Sequence, residues 1–181
     1  MINTDIVNVV ATAALRQELD LDDLGKSEEI LHDPDIYDGR VAYFKKPNME
    51  GRVSIFCSGK MISVGTKSEL GAFQELELTK NFLVERGFVK QTPLCPKIHN
   101  IVVKTDLGGG IDLEQLSMKC RMIYEPEQFP GGILKFEEPH KATVLLFSSG
   151  KAVILGVKNS KQIAPLVKRL VSFVKIHKSF Y

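Results

Sequence analysis

Tryptophan is missing from this 181-residue chain, and aromatic side chains of all kinds make up only 8% of it. Cysteine is scarce as well. Cys57, Cys95 and Cys120 are odd in number and form no CxxC pair, so neither a disulfide framework nor a zinc ribbon is expected, and a reducing intracellular compartment fits best. No apolar run approaches the roughly 20 residues of a membrane span. The N-terminal MINTDIVNVV lacks the basic start and cleavage site of a signal peptide, so neither export nor a membrane partner is expected. An excess of one charge is lacking too: 24 Lys+Arg against 22 Asp+Glu leave a net +2, which argues against a protein that holds polyanions by bulk charge. What is present is ordinary globular composition, 44% hydrophobic and 25% charged, ample for a buried core.

The chain repeats itself. Ile6-Val7-Asn8-Val9-Val10 returns as Ile98-His99-Asn100-Ile101-Val102, an offset of 92. At that offset Asp20-Leu21-Asp22-Asp23-Leu24 matches Asp112-Leu113-Glu114-Gln115-Leu116, and Pro34, Gly39, Phe44 and Pro47 match Pro126, Gly131, Phe136 and Pro139. Phe56-Cys57-Ser58-Gly59-Lys60 then matches Phe147-Ser148-Ser149-Gly150-Lys151 at an offset of 91, as do Gly65 and Lys67 with Gly156 and Lys158. The change of offset places one extra residue in the Asn48–Val53 loop. Order is kept along nearly the whole chain, and the period is too long for a solenoid. Two homologous halves, 1–92 and 93–181, are therefore expected, related by a pseudo-twofold axis and suited to a nearly symmetric partner.

Each half reads as strand, helix, several strands and a closing helix. Ile6–Ala11 is a β-branched run and reads as a strand. Asp20 and Asp112 are candidate N-caps, with a helix from Asp20 running to about Leu31. Strands are expected at Val41–Phe44, Val53–Cys57, Met61–Val64, Ile133–Phe136, Thr143–Phe147 and Ala152–Leu155. Ser58-Gly59 and Ser149-Gly150 turn two tight hairpins between them. A long helix from Glu69 to Arg86 starts at Ser68 and stops at Gly87. Another carries Pro165 in its first turn and continues to about His177. This is an α+β protein with about ten antiparallel strands and helices on one face.

A sheet covered on one side alternates apolar and polar residues, and these strands do not. Met61-Ile62-Ser63-Val64 and Ala152-Val153-Ile154-Leu155 are apolar or nearly so on both faces. The uncovered face is either a dimer interface or a working apolar surface. Asn8 and Asn100 sit at equivalent places in otherwise apolar strands, and a buried amide needs partners at both ends. Such a matched pair reads as ligand-contacting groups.

These residues carry a resemblance. Ile6-Val7-Asn8-Val9-Val10-Ala11-Thr12, Tyr124-Glu125-Pro126-Glu127-Gln128-Phe129-Pro130-Gly131, and Phe147-Ser148-Ser149-Gly150-Lys151 with Gly156-Val157-Lys158 resemble the TATA-binding protein family of archaeal and eukaryotic transcription, across both halves. The resemblance implies a saddle: a curved antiparallel sheet on the minor groove of promoter DNA, with four helices on the convex back. This family is itself the usual example of DNA kinked by apolar wedges between base steps. The wedge positions fall on Tyr37, Phe56, Phe129 and Phe147. Groove positions fall on Asn8, Val10, Ile62, Val64, Asn100, Val102, Leu145, Val153 and Leu155, and phosphate-facing ones on Ser58, Lys60, Lys67, Lys135, Ser149, Lys151 and Lys158. Glu125 and Glu127 match the contact to transcription factor B, through which RNA polymerase is engaged indirectly. The resemblance also implies a non-enzyme without cofactor, of archaeal type in the cytoplasm or nucleoid, or nuclear if eukaryotic. Without DNA, the exposed sheet face would suit a homodimer.

The first half departs from the family pattern. Its wedge position holds Tyr37 followed by Asp38, Tyr43 stands where an arginine usually meets phosphate, and Ser54 replaces an apolar groove residue. In both halves a groove threonine is replaced, by Val64 and by Leu155. Residues 1–92 hold 11 basic and 15 acidic groups, whereas 93–181 hold 13 and 7. Weaker or one-sided DNA binding is expected, and an adapter acting through protein partners is the alternative. A substrate-gripping domain of a nucleic-acid enzyme is disfavoured, because the duplication fills the chain. Gly108-Gly109-Gly110 lacks the Lys-Ser/Thr of a phosphate loop. His32, His99, His140 and His177 have no metal-ligand spacing. Glu137 and Glu138 point to opposite faces of a strand. No catalytic or metal constellation is expected.

Overall fold

The computed structural model describes residues 2–177, which fall into two compact units. The first is Asn8–His99, and the second is formed by the chain on either side of it. Strand β1 (Asn3–Ala14) contributes to both.

In the first unit β1 is followed by α1 (Leu21–Leu24), β2 (Ile30–His32), β3 (Val41–Phe44), β4 (Arg52–Phe56), β5 (Lys60–Thr66) and α2 (Glu69–Glu85). The strands lie side by side in the order β2-β3-β4-β5-β1. The second unit is built from β6 (Lys97–Asp106), α3 (Leu113–Lys119), β7 (Met122–Ile123), β8 (Gly131–Phe136), β9 (Ala142–Phe147), β10 (Lys151–Val157) and α4 (Ile163–Ile176), with the order β6-β10-β9-β8-β7. Ten strands and four helices make the expected α+β class.

The caps act as their chemistry requires. The Asp20 carboxylate accepts from the N–H groups of Asp22 and Asp23 at 3.0 and 3.1 Å, and Asp112 accepts from Gln115 N–H at 2.8 Å. Ser68 Oγ accepts from Gly71 N–H at 2.9 Å. These bonds satisfy donors that a helix start leaves open. Gly87 closes α2 at φ +79°, and Gly59 and Gly150 turn the two hairpins at +76° and +82°.

One expected element is corrected. The helix beginning at Asp20 ends at Leu24 and does not run to Leu31. Ile30, Leu31 and His32 instead pair with Phe44, Tyr43 and Ala42 as the edge strand β2. Side-chain tethers hold that edge: His32 Nδ1 lies 2.9 Å from the Val41 carbonyl and Nε2 lies 3.2 Å from the Asp22 carboxylate. A short edge strand carries weak local signal, because its partner is supplied by β3 and not by its own periodicity.

Burial alternates along the central strands. Val53 and Ile55 on β4, Met61 and Ser63 on β5, Val144 and Leu146 on β9, and Ala152 and Ile154 on β10 are buried, while their neighbours are not. One side of each unit's sheet is therefore core. In the first unit α2 packs on β4 and β5. Its Glu75, though buried, is satisfied: its carboxylate accepts from Gly51 N–H at 2.8 Å and from Ser63 Oγ at 3.3 Å. Phe44 meets Phe82 of α2 with ring centroids 4.8 Å apart, and in the second unit Phe136 meets Phe173 of α4 at 6.1 Å. The other side of each sheet is only half-covered, although much of it is apolar.

Candidate nucleic-acid interface

The half-covered face collects the expected groove residues. In the first unit it carries Asn8, Val10 and Thr12 on β1, Lys60, Ile62 and Val64 on β5, Arg52, Ser54 and Phe56 on β4, and Tyr43 on β3. Cross-strand rows run Thr12–Ile62–Ser54–Tyr43–Leu31 and Val10–Val64–Arg52. The second unit carries Asn100, Val102 and Lys104 on β6, Lys151, Val153 and Leu155 on β10, Thr143, Leu145 and Phe147 on β9, and Ile133 and Lys135 on β8. There the long row is Lys104–Val153–Leu145–Ile133–Ile123.

The two asparagines are held by the same device. The β1–β5 register jumps between Val9 opposite Thr66 and Val10 opposite Val64, so Gly65 is left over. Its N–H donates to Asn8 Oδ1 at 2.8 Å. The β10–β6 register jumps between Ile154 and Val157, and Gly156 N–H donates to Asn100 Oδ1 at 2.8 Å. Both glycines have positive φ, +107° and +89°, which the bulge demands and a side chain would resist. With each amide oxygen occupied by a backbone donor, each side chain offers its N–H donors to a ligand. An apolar floor carrying fixed donors fits a partner edge that presents acceptors.

The wedge positions differ between the units. Phe129 packs edge-on against Phe147, with centroids 5.8 Å apart at 65°. That pair sits over Gly131, where a Cβ would lie 2.7 Å from the Phe129 ring and 3.1 Å from the Phe147 ring, while a Cβ on the next residue, Gly132, would lie 2.4 Å from Met122 Sδ. By the 92-residue repeat, Arg40 stands in the first unit where Gly132 stands in the second. An arginine side chain would overfill that space, and the register of β3 differs from that of β8. Val41 lies opposite Phe56, whereas Gly131, the counterpart of Gly39, lies opposite Phe147. On its other side, Ile30 lies opposite Phe44, whereas Met122 lies opposite Leu134, the counterpart of Ala42. The strand has slipped two residues against both neighbours.

That slip corrects the repeat comparison. The difference between the halves is not an inserted residue in the Asn48–Val53 loop: by the strand pairings the first half has two extra residues before β3 and one fewer between β3 and β4. The surplus is taken up before β3, where Tyr37, Asp38 and Gly39 form a turn with φ of +52°, +53° and +67°. Tyr37 is 73% exposed, and among the described residues its ring meets no other aromatic ring. Phe56 stays on the half-covered face.

The expected phosphate-facing residues Ser58, Lys60, Lys67, Lys135, Ser149, Lys151 and Lys158 are all exposed, as are Glu125 and Glu127. The Glu125 carbonyl accepts from the N–H groups of Gln128 and Phe129, both at 2.9 Å, which fixes the turn that delivers Phe129. Two cations on the face were not singled out from the sequence. Lys104 shares a strand face with Asn100 and Val102, as the period of two could have shown. Arg52 shares one with Ser54 and Phe56, but it falls beside the supposed insertion. Its guanidinium lies 4.7 Å from the Tyr43 ring centroid. Among the described residues no three His, Cys, Asp or Glu side chains gather to hold a metal ion, and no helix is long and apolar enough to cross a membrane.

Comparison with known proteins gives this face a family. The model for transcription factor TFIID, or TATA-binding protein, matches residues 3–83 and again 95–177, which shows the internal repeat directly. The chain is 36% identical over 159 residues to the TATA-box-binding protein of Cenarchaeum symbiosum, covering 87% of this chain and 86% of that one. It is 37% identical over 177 residues to that of Aeropyrum pernix, covering 94% and 83%. The solved structure of Methanococcus jannaschii TBP matches with a TM-score of 0.84 at 28% identity, covering 96% of this chain and 98% of that one. The chain belongs to the TATA-binding protein family, a non-enzymatic family of DNA-binding transcription factors.

Proposed function

We propose that this protein is a transcription initiation factor that binds TATA-like promoter DNA through the minor groove, bends it and recruits transcription factor B, and through it RNA polymerase. The observation that carries this reading is the pair of asparagines, each with its oxygen tied to a bulge glycine and its donors left on an apolar face. The minor groove of A·T pairs presents acceptors only, adenine N3 and thymine O2, whereas G·C adds a protruding N2 amino group. Amide donors match the first pattern. Val10, Val64, Val102 and Leu155 give the amino group nothing to bond.

Apolar wedges cannot read bases, so preference for TATA arises from deformability. Pyrimidine–purine steps such as TA unstack most readily, and bending a site costs on the order of 1–10 kcal/mol depending on its stiffness. Phe129 and Phe147, already paired, are positioned to enter such a step. Lys60, Lys67, Lys135, Lys151 and Lys158 would neutralise about five phosphates, giving a salt slope of about −4 to −5. Glu125 and Glu127, on the turn before Phe129, are assigned to factor B. We place the repeat boundary near residue 92 and the protein with the genome, in the cytoplasm or nucleoid of an archaeal-type cell.

The exposed Tyr37 and slipped β3 favour a second reading, an adapter that works through protein partners and bends DNA poorly. A TATA duplex with fluorophores at its ends, titrated across a salt series with and without factor B, separates the two. Bending with a negative salt slope supports the initiation factor. Factor B binding with no bending at any salt supports the adapter.

A further inference from the structure

We infer that Arg52, stacked on Tyr43, is the phosphate anchor of the first unit, a role that no residue resemblance assigns to it. In the second unit the β8–β9 pair at this edge is Lys135 opposite Thr143, a cation beside a neutral residue. The slip of β3 puts Tyr43 in the place of Ile133 and Lys45 in the place of Lys135, while Arg52 keeps the place of Thr143. Lys45 is turned to backbone carbonyls at that place, which leaves Arg52 as the outward cation. Tyr43 lies opposite Ser54, and Arg52, on the same face of β4, reaches back over the tyrosine ring with its guanidinium 4.7 Å from the centroid. Positive charge is thereby presented on an edge where Lys45 is engaged by backbone carbonyls.

The stack also prepares the group. A guanidinium held over an aromatic ring has surrendered part of its rotamer freedom before a ligand arrives, and it still presents N–H donors in a fork that matches two phosphate oxygens. Among the described residues no carboxylate pairs with Arg52. Three carboxylates line the cleft beside it: Glu29 is bound to Arg86 at 3.1 Å, Glu50 accepts from Lys67 N–H at 3.1 Å, and Glu28 forms no ion pair with Arg52. Lys45, the other cation of this cleft, donates to the carbonyls of Met49, Glu50 and Gly51. Arg52 is the cation left to meet an anion from outside.

This inference rests on the DNA-binding reading, and one experiment separates the failure of either. The salt dependence of binding to a TATA duplex is measured for the unaltered protein, Lys135→Ala, Arg52→Ala, Arg52→Lys and Tyr43→Ala, with thermal unfolding of each as the check on folding. Arg52→Ala is expected to weaken binding roughly three- to tenfold and to make the slope less negative by about 0.9, the loss of one phosphate contact. Arg52→Lys should keep the slope but bind more weakly, because an ammonium neither forks nor stacks as a guanidinium does. Tyr43→Ala should weaken binding and, combined with Arg52→Ala, add less than its separate effect. A slope that moves for Lys135→Ala but stays put for Arg52→Ala overturns the assignment. Unaltered protein that does not bind the duplex overturns the DNA-binding reading itself.

Discussion

The two units start from one repeated sequence and reach different interfaces. In the second, Gly131 and Gly132 let Phe129 lie edge-on to Phe147, and β8 keeps the register that the repeat implies. In the first, which by the repeat has Arg40 for the second glycine, β3 is slipped two residues so that Ala42 stands in the place of Gly132, and Tyr37 is left in solvent on a left-handed turn. The asparagine device survives in both, since Gly65 and Gly156 are both retained. The proposed cause of the slip is Arg40, whose side chain would overfill the space beside Met122 that Gly132 leaves open, while the asparagine device is kept in both units. Charge follows the same division, the first half being acidic and the second basic.

The largest test of this contrast removes a wedge. Phe129→Ala or Phe147→Ala should weaken binding to a TATA duplex roughly ten- to hundredfold, from ~1.5–3 kcal/mol per buried phenylalanine. Tyr37→Ala should change it about twofold, as an exposed residue does. Equal losses by fluorescence anisotropy would erase the asymmetry.

Next in size is the amide pair. Asn8→Asp and Asn100→Asp keep an oxygen for the bulge glycine but replace the N–H donors with charge. Each should weaken binding by roughly tenfold or more, at ~1–3 kcal/mol for a base contact. The two effects should agree within about twofold, because both side chains are held alike. A large difference between them would show that the units differ at the centre as well as at the wedge.

A substitution can also copy the first unit's fault into the second. Gly132→Arg forces a side chain onto Met122 and should cost ~1–3 kcal/mol of stability by overpacking, read as a lower urea midpoint. It should also move the Phe129 and Phe147 ring resonances apart. An unchanged midpoint with unchanged ring contacts would remove the proposed cause of the slip.

The smallest effect concerns thiols. Cys57 is exposed on the hairpin between Phe56 and Ser58 and should alkylate faster than Cys120, whose thiol is pushed up by burial. Adding TATA duplex should slow Cys57 alone. Protection of Cys120 instead would place the DNA elsewhere.

Much of this was legible in the residues. Period-two patterning and the paired hairpins located the central strands, capping chemistry located the starts of α2 and α3, and Pro165 located that of α4. The repeat exposed the duplication before any coordinates did. What escaped was set by partners distant in sequence. β2 is a strand because β3 lies beside it, so the local pattern after Asp20 read on as helix. The slip of β3 depends on the space above Met122 and Phe147, which no offset comparison reveals. Arg52 was passed over for the same reason, since its role requires knowing that β3 had moved.

Recognition through the minor groove is tested most directly by changing only the other groove. Replacing A·T pairs of the TATA duplex with inosine·cytosine keeps the minor-groove acceptors and alters the major groove, whereas G·C replacement also adds the minor-groove amino group. In an anisotropy titration the inosine duplex is expected to bind within a few-fold of TATA and the G·C duplex far more weakly. If inosine substitution costs as much as G·C, the protein does not read the minor groove and the account is wrong.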